Sequence, residues 1–186
     1  LGTTATGLAS REYDTPNTTE TLFNIASLTK SWTAVAAAKL IEDGLLKLTS
    51  RLKDLVVLKD VEFDERIEIR HLMSHTSGLG DYFGPAFDQT PKDRIRELDD
   101  FLGLTSTFVP KFSPGTDWSY SNIGMILLGK VIESVSKEPY HSTVKRLVLD
   151  PAGMSTAYFP HLDQVNTGCA SGYGNKWTMD GPVTIN

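Results

Sequence analysis

Cysteine is nearly absent from this 186-residue chain: the single Cys169 excludes an internal disulfide and offers no thiolate cluster for a metal. A lone thiol of this kind reads as a buried or semi-buried packing residue. Positive charge is also scarce. Eighteen Lys and Arg stand against 23 Asp and Glu, for a formal net charge of -5, and no basic stripe concentrates them. That argues against a nucleic-acid partner. No apolar run approaches the roughly 20 residues a membrane helix needs, and repeats and low-complexity tracts are missing. What is present is 40% hydrophobic and 22% charged residues. This near-average balance supports one packed domain, or one domain plus part of another, rather than disorder.

Residues 1–13 carry small, β-branched and apolar side chains and are expected to form one strand, with a turn at Asp14-Thr15-Pro16-Asn17. Asn17-Thr18-Thr19 matches the glycosylation sequon, a triplet that arises often by chance. From residue 24 to 44 the pattern turns helical. Leu28, Trp32, Val35, Ala38 and Ile41 recur at spacings of three and four, with alanines on most other faces. A helix apolar nearly all round is expected to be buried. Asn24 or Ser27 is placed to cap its start, and Gly44 suits the left-handed position at its end.

Residues 67–73 predict a short helix that stops at Ser74-His75-Thr76-Ser77-Gly78, and residues 81–90 predict an aromatic loop. Pro91 is expected to open a helix running to about Leu102. After a turn at Ser113-Pro114-Gly115-Thr116 and the run Tyr120-Ser121-Asn122 comes a strongly periodic helix, with Met125, Leu128, Ile132 and Val135 on one face. Pro139 opens another, which buries Val144, Leu147 and Val148 and closes at Asp150-Pro151-Ala152-Gly153. The remainder reads as loops with one or two strands.

Ser27-Leu28-Thr29-Lys30 carries the chemistry. On a helix, residues three apart share a face, so the hydroxyl and the ammonium can meet. A serine is a poor nucleophile until a base takes its proton. A lysine in apolar surroundings, here Phe23, Ile25, Ala26, Leu28 and Trp32, is favoured in the neutral form that can do so. The helix N-terminus would stabilise a forming alkoxide. Alone the motif is weak, since chance supplies Ser-x-x-Lys in a chain this size with a probability on the order of one half.

Two further segments add weight. Tyr120 beside a lysine could relay a proton, and the Asn122 amide could donate to a substrate carbonyl and accept from the lysine. The plainer reading makes Tyr120 a packing residue and Asn122 a helix cap. His71 and His75 have no Cys or acidic ligand at metal spacing, so His75 is expected to hold a turn. The Gly-x-Ser-x-Gly elbow of the α/β-hydrolases is absent around Ser171.

Phe23-Asn24-Ile25-Ala26-Ser27-Leu28-Thr29-Lys30, the Ser-His-Thr-Ser-Gly-Leu run at 74–79, Pro114-Gly115 followed by Tyr120-Ser121-Asn122, and Leu149-Asp150-Pro151-Ala152-Gly153-Met154 occur in this order. In these features the chain resembles the superfamily of class C β-lactamases, D-alanyl-D-alanine carboxypeptidases and esterases, from about Gly2 to Tyr173. The resemblance implies an α/β (α+β) fold of β-lactamase/transpeptidase type, with a helical domain packed on a mixed antiparallel sheet that is expected to be incomplete in this chain. It places the N-terminal strands and the nucleophile helix in 1–44, a mainly helical domain in 45–150 and a return segment in 151–186.

By the same resemblance Ser27 is the acylated nucleophile, Lys30 its activator, Tyr120 the base or relay, and Asn122 a substrate-positioning group. No cofactor or metal is implied. The partner is a small-molecule or peptide substrate: an ester or D-amino-acid peptide is preferred to a β-lactam, and a catalytically silent binding or scaffold protein is the alternative. The family's late Lys-Thr-Gly or His-x-Gly strand is not found; Lys176-Trp177-Thr178 does not match it. That strand supplies half of the oxyanion hole, and one lost donor forfeits roughly 2.7–4 kcal/mol. The chain is therefore expected to be the front half of such an enzyme and inactive by itself. A signal peptide would lie before Leu1, so extracytoplasmic and cytoplasmic locations both stay open, as does the oligomeric state.

Overall fold

A computed structural model of the chain describes residues 2–58, 63–104, 110–161, 164–178 and 181–185. The fold is mixed helix and strand, and it divides into two compact units, Leu1–Ser27 with Gln164–Asn186, and Leu28–Asp163. No helix among the described residues is long and apolar enough to cross a membrane.

The first unit is held by short backbone pairings. Strand β1 (Leu8–Ser10) pairs antiparallel with β2 (Thr15–Pro16) through an irregular register, and Asp14 turns the chain at φ 47°. The single strand expected over 1–13 is thus cut to three residues, and half of the expected turn becomes β2; Leu1 lies outside the described residues. The cause is local. Asn17 donates from its backbone N–H to the Gly7 carbonyl at 2.9 Å and from Nδ2 to the Thr6 carbonyl at 3.0 Å, folding the hairpin back early.

The late segment returns to the first. Leu22 bridges Cys169 in parallel, Ser171 donates to the Ala9 carbonyl at 2.8 Å, and the backbone N–H of Arg11 donates to the Tyr173 hydroxyl at 2.7 Å. Cys169 is exposed, so the buried or semi-buried position expected for it is not observed. Strands β3 (Gly174–Thr178) and β4 (Gly181–Ile185) form an antiparallel hairpin with Gly174 opposite Ile185, so the strands expected near the end are found.

The second unit is helical: α1 (Thr29–Glu42), α2 (Leu52–Leu55), α3 (Ile69–Met73), α4 (Pro85–Gln89), α5 (Leu98–Leu102), α6 (Asn122–Ser136) and α7 (Tyr140–Val144), with a π-helical extension over Lys145–Leu149. Helix α6 is central and packs on α1, α2, α3, α5 and α7. It buries Ile123, Leu127, Leu128, Val131 and Ile132 completely, each contributing about 1.5–3 kcal/mol by removal from water. Tyr140 on α7 and Thr33 on α1 share a buried hydrogen bond of 2.7 Å.

Helix α1 is not buried all round. Its covered stripe is Thr33, Ala36, Ala37 and Leu40, whereas Leu28 and Val35 of the expected stripe are 68% and 51% exposed. Its neighbours α6, α7 and the π-helical extension cover only one stripe of it, and the alanines there let α6 approach closely. The helix ends as expected. Gly44 adopts φ 75°, with Leu45 N–H bonded to the Leu40 carbonyl and Gly44 N–H to the Ile41 carbonyl, the double closure of a Schellman turn.

The helix expected from Pro91 to Leu102 is broken into a 3-10 turn (Lys92–Arg94) and α5. Ile95 is extended, and the Asp100 carboxylate accepts from the N–H groups of Arg96 and Glu97 at 2.8 Å each, capping a new helix there. The aromatic segment 81–90 likewise contains a helix, α4, with Pro85 in its first turn.

Candidate active site

Ser27 lies exposed in a 3-10 turn (Ala26–Leu28) that leads directly into α1. The residue before it, Ala26, has φ 45°, a left-handed conformation costing a side-chain-bearing residue about 1–2 kcal/mol. Asn24 holds that turn: its Oδ1 accepts from the Ala26 N–H at 2.8 Å. Asn24 is thus a turn-former, and the N-cap position of α1 falls on Leu28, which carries no side-chain cap. Strain kept beside a candidate nucleophile is a feature of functional sites.

In the second unit four separate stretches of chain converge. Lys30, in the first turn of α1 and half-buried, places Nζ 5.0 Å from the centroid of the Tyr120 ring, within cation–π range. Tyr120 is 40% exposed. The His75 ring lies 4.7 Å from the Tyr120 ring, tilted by 33°, and Trp118 meets His75 edge-on at 6.3 Å. His75 is pinned from two sides: its Nδ1 accepts from the Ser121 N–H at 3.3 Å and its carbonyl from the Ser119 N–H at 3.0 Å. The turn-holding role expected of His75 is therefore observed. Burial, and then the nearby positive charge of Lys30, pushes the imidazole below its ordinary pKa. The neutral ring this favours is the form able to accept at Nδ1. His71 has a parallel task, accepting at Nδ1 from the Glu68 N–H at 3.1 Å at the start of α3.

The cap of α6 is Ser121, not Asn122. Its hydroxyl accepts from the Gly124 N–H at 2.9 Å and donates to the Gly80 carbonyl at 2.7 Å. Asn122, half-buried, instead donates from Nδ2 to the Asp81 carboxylate at 2.7 Å. Asp81 carried no signal of its own in the sequence beyond opening the aromatic stretch. Beside it Tyr82 packs against Phe83, Phe87 and Phe101 with ring centroids 4.7, 5.1 and 4.9 Å away, and Phe83 is 60% exposed.

The glycine of the Ser-His-Thr-Ser-Gly-Leu run has a specific cause. Gly78 adopts φ 76°, its carbonyl accepts from the Lys111 N–H at 2.8 Å, and a Cβ built there would stand 2.1 Å from the Phe112 carbonyl oxygen. Gly78→Ala adds a left-handed penalty to a backbone clash, together about 2–5 kcal/mol. Thermal unfolding of the variant is expected to show a Tm roughly 5–15 °C lower. A fall of a degree or two would mean that the 76–79 turn tolerates repacking.

Known proteins place this arrangement. A family profile described as Beta-lactamase matches residues 2–184. Penicillin-binding protein 4* of Bacillus subtilis (strain 168) is 33% identical over 151 residues, which are 80% of this chain and 33% of that protein. Esterase EstB of Burkholderia gladioli is 33% identical over 172 residues, 83% of this chain and 43% of that protein. Among solved structures, the penicillin binding protein from Bacillus halodurans matches with a TM-score of 0.82 and 36% identity, covering 96% of this chain and 56% of that one. The architecture is that of the β-lactamase/transpeptidase-like folds. The chain belongs to the Beta-lactamase family. It spans 33% and 43% of the length of these two curated relatives.

Proposed function

We propose that the protein carrying this chain is a serine hydrolase that works through an acyl-enzyme on Ser27. The observation that supports this most directly is Lys30: three residues after the serine, it stands over the Tyr120 ring, which lies against His75, itself bonded by the Ser121 N–H. In this reading Ser27 Oγ attacks a carbonyl carbon as its proton passes to Lys30, with Tyr120 as the partner that relays it to the leaving group. Water then attacks the acyl-enzyme and the same groups run in reverse. Asn122 has one amide hydrogen engaged by Asp81, and the second is available to a substrate carbonyl.

Esters and D-amino-acid amides or peptides are the preferred substrates. The similarity to a protein named as an esterase supports the first of these. A β-lactam should still acylate Ser27, because activation of the hydroxyl is common to all three. The test is adduct mapping on the intact protein. A fluorophosphonate and a fluorescent penicillin are expected to label Ser27, found by peptide mass spectrometry. Labelling at another residue, or undiminished labelling in Ser27→Ala, would remove Ser27 from the mechanism.

A further inference from the structure

The carboxylate of Asp81 is shared between two tasks. Its Oδ2 accepts from Asn122 Nδ2 at 2.7 Å, while Oδ1 accepts from the Tyr82 N–H at 2.8 Å and, at greater length, from the Phe83 N–H at 3.4 Å. The neighbouring residues are joined as well, since Ser121 Oγ donates to the Gly80 carbonyl at 2.7 Å. Residues 80–81 and 121–122 are thus fastened pair to pair, although 41 positions separate each bonded pair.

An ionised carboxylate is an acceptor only. It therefore settles which end of the Asn122 amide faces it: the nitrogen turns toward Asp81 and the carbonyl oxygen away. Without such a partner an asparagine side chain has two nearly equivalent amide orientations about its last torsion. Only one of them presents the second N–H and the oxygen on the sides they now occupy. The other carboxylate oxygen holds the backbone where the aromatic segment begins, at Tyr82 and the exposed Phe83.

We propose that Asp81 is a positioning residue for acyl transfer: it fixes the orientation of the Asn122 amide. This rests on the role given to Asn122 in the proposed function. A plain structural pin would also lower activity when cut, so the deciding measurement is a double-mutant cycle in the intact protein with Asp81→Ala, Asn122→Ala and both. The readouts are kcat/KM on p-nitrophenyl acetate and fluorophosphonate labelling of Ser27.

Asp81→Ala is expected to lower kcat/KM by about tenfold to a hundredfold in the Asn122 background, the range for a hydrogen bond to a charged group. In the Asn122→Ala background it is expected to change kcat/KM by less than about twofold, because the residue it acts through is gone. Asp81→Asn can still accept from Asn122 through its own carbonyl and is expected to fall between wild type and Asp81→Ala. It also serves as the second variant should the alanine protein fold poorly.

Equal fold losses in both backgrounds would make Asp81 a loop pin and overturn the proposal, as would an unchanged kcat/KM in Asp81→Ala. In either of those cases continued labelling of Ser27 leaves the hydrolase reading standing. No Ser27 adduct in the wild-type protein would overturn that reading, and this proposal with it.

Discussion

Replacing Ser27 with alanine is expected to lower kcat on an activated ester by on the order of 10⁵–10⁶-fold in the intact protein, the scale seen when a serine nucleophile is removed. The reason is chemical rather than structural. In the proposed mechanism no acyl-enzyme can form without Oγ, and only water held near the remaining groups can attack. Ser27 is exposed in its 3-10 turn, so its loss should leave stability within about 0.5 kcal/mol. Steady-state turnover alongside a thermal melt separates the two effects. A variant that keeps more than a hundredth of wild-type turnover would place the nucleophile elsewhere. The neighbouring strain sharpens the comparison: Ala26 at φ 45° is held by Asn24, and neither residue is touched by the substitution.

The second large effect is expected at Lys30. Lys30→Ala and Lys30→Arg should each lower kcat/KM by about 10²–10⁴-fold, the contribution of a positioned general base. Arginine keeps a cation able to sit over the Tyr120 ring, where Lys30 Nζ lies 5.0 Å from the centroid. It cannot give up its proton, however, and so cannot accept one from a serine. The pair of variants therefore separates proton transfer from charge. If Lys30→Arg retains more than a tenth of wild-type kcat/KM, the role of Lys30 is electrostatic and the base lies elsewhere.

The resemblance read from the motifs and the family match agree because the informative residues are clustered in short stretches. Phe23 to Lys30, Ser74 to Leu79 and Tyr120 to Asn122 each act through the local backbone, whose geometry repeats within a turn. Helix α6 was legible for a related reason, since its apolar residues recur at the helical period and Gly129 does not interrupt them. Helix α1 was legible in extent but not in its buried face. Its many alanines make the faces nearly alike in hydrophobicity, and packing against α6 decided between them. The helix drawn from Pro91 failed where a side chain competed with the backbone: Asp100 took the N–H groups of Arg96 and Glu97.

What the sequence determined by itself, then, is local: the Ser27–Lys30 spacing, the Gly44 stop, the turn at His75 to Gly78 and the order of motifs that marks the family. Tertiary structure decided the rest. It laid His75 on Tyr120, gave Gly78 a carbonyl neighbour at Phe112, and set Asp81 against Asn122. These partners lie far apart in the chain, 41 positions for Asp81 and Asn122, and His75 also bonds Ser121 across 46 positions. Bonds across such distances depend on the burial of α6 among its neighbours, a property of the whole packed unit that no window of ten or fifteen residues contains.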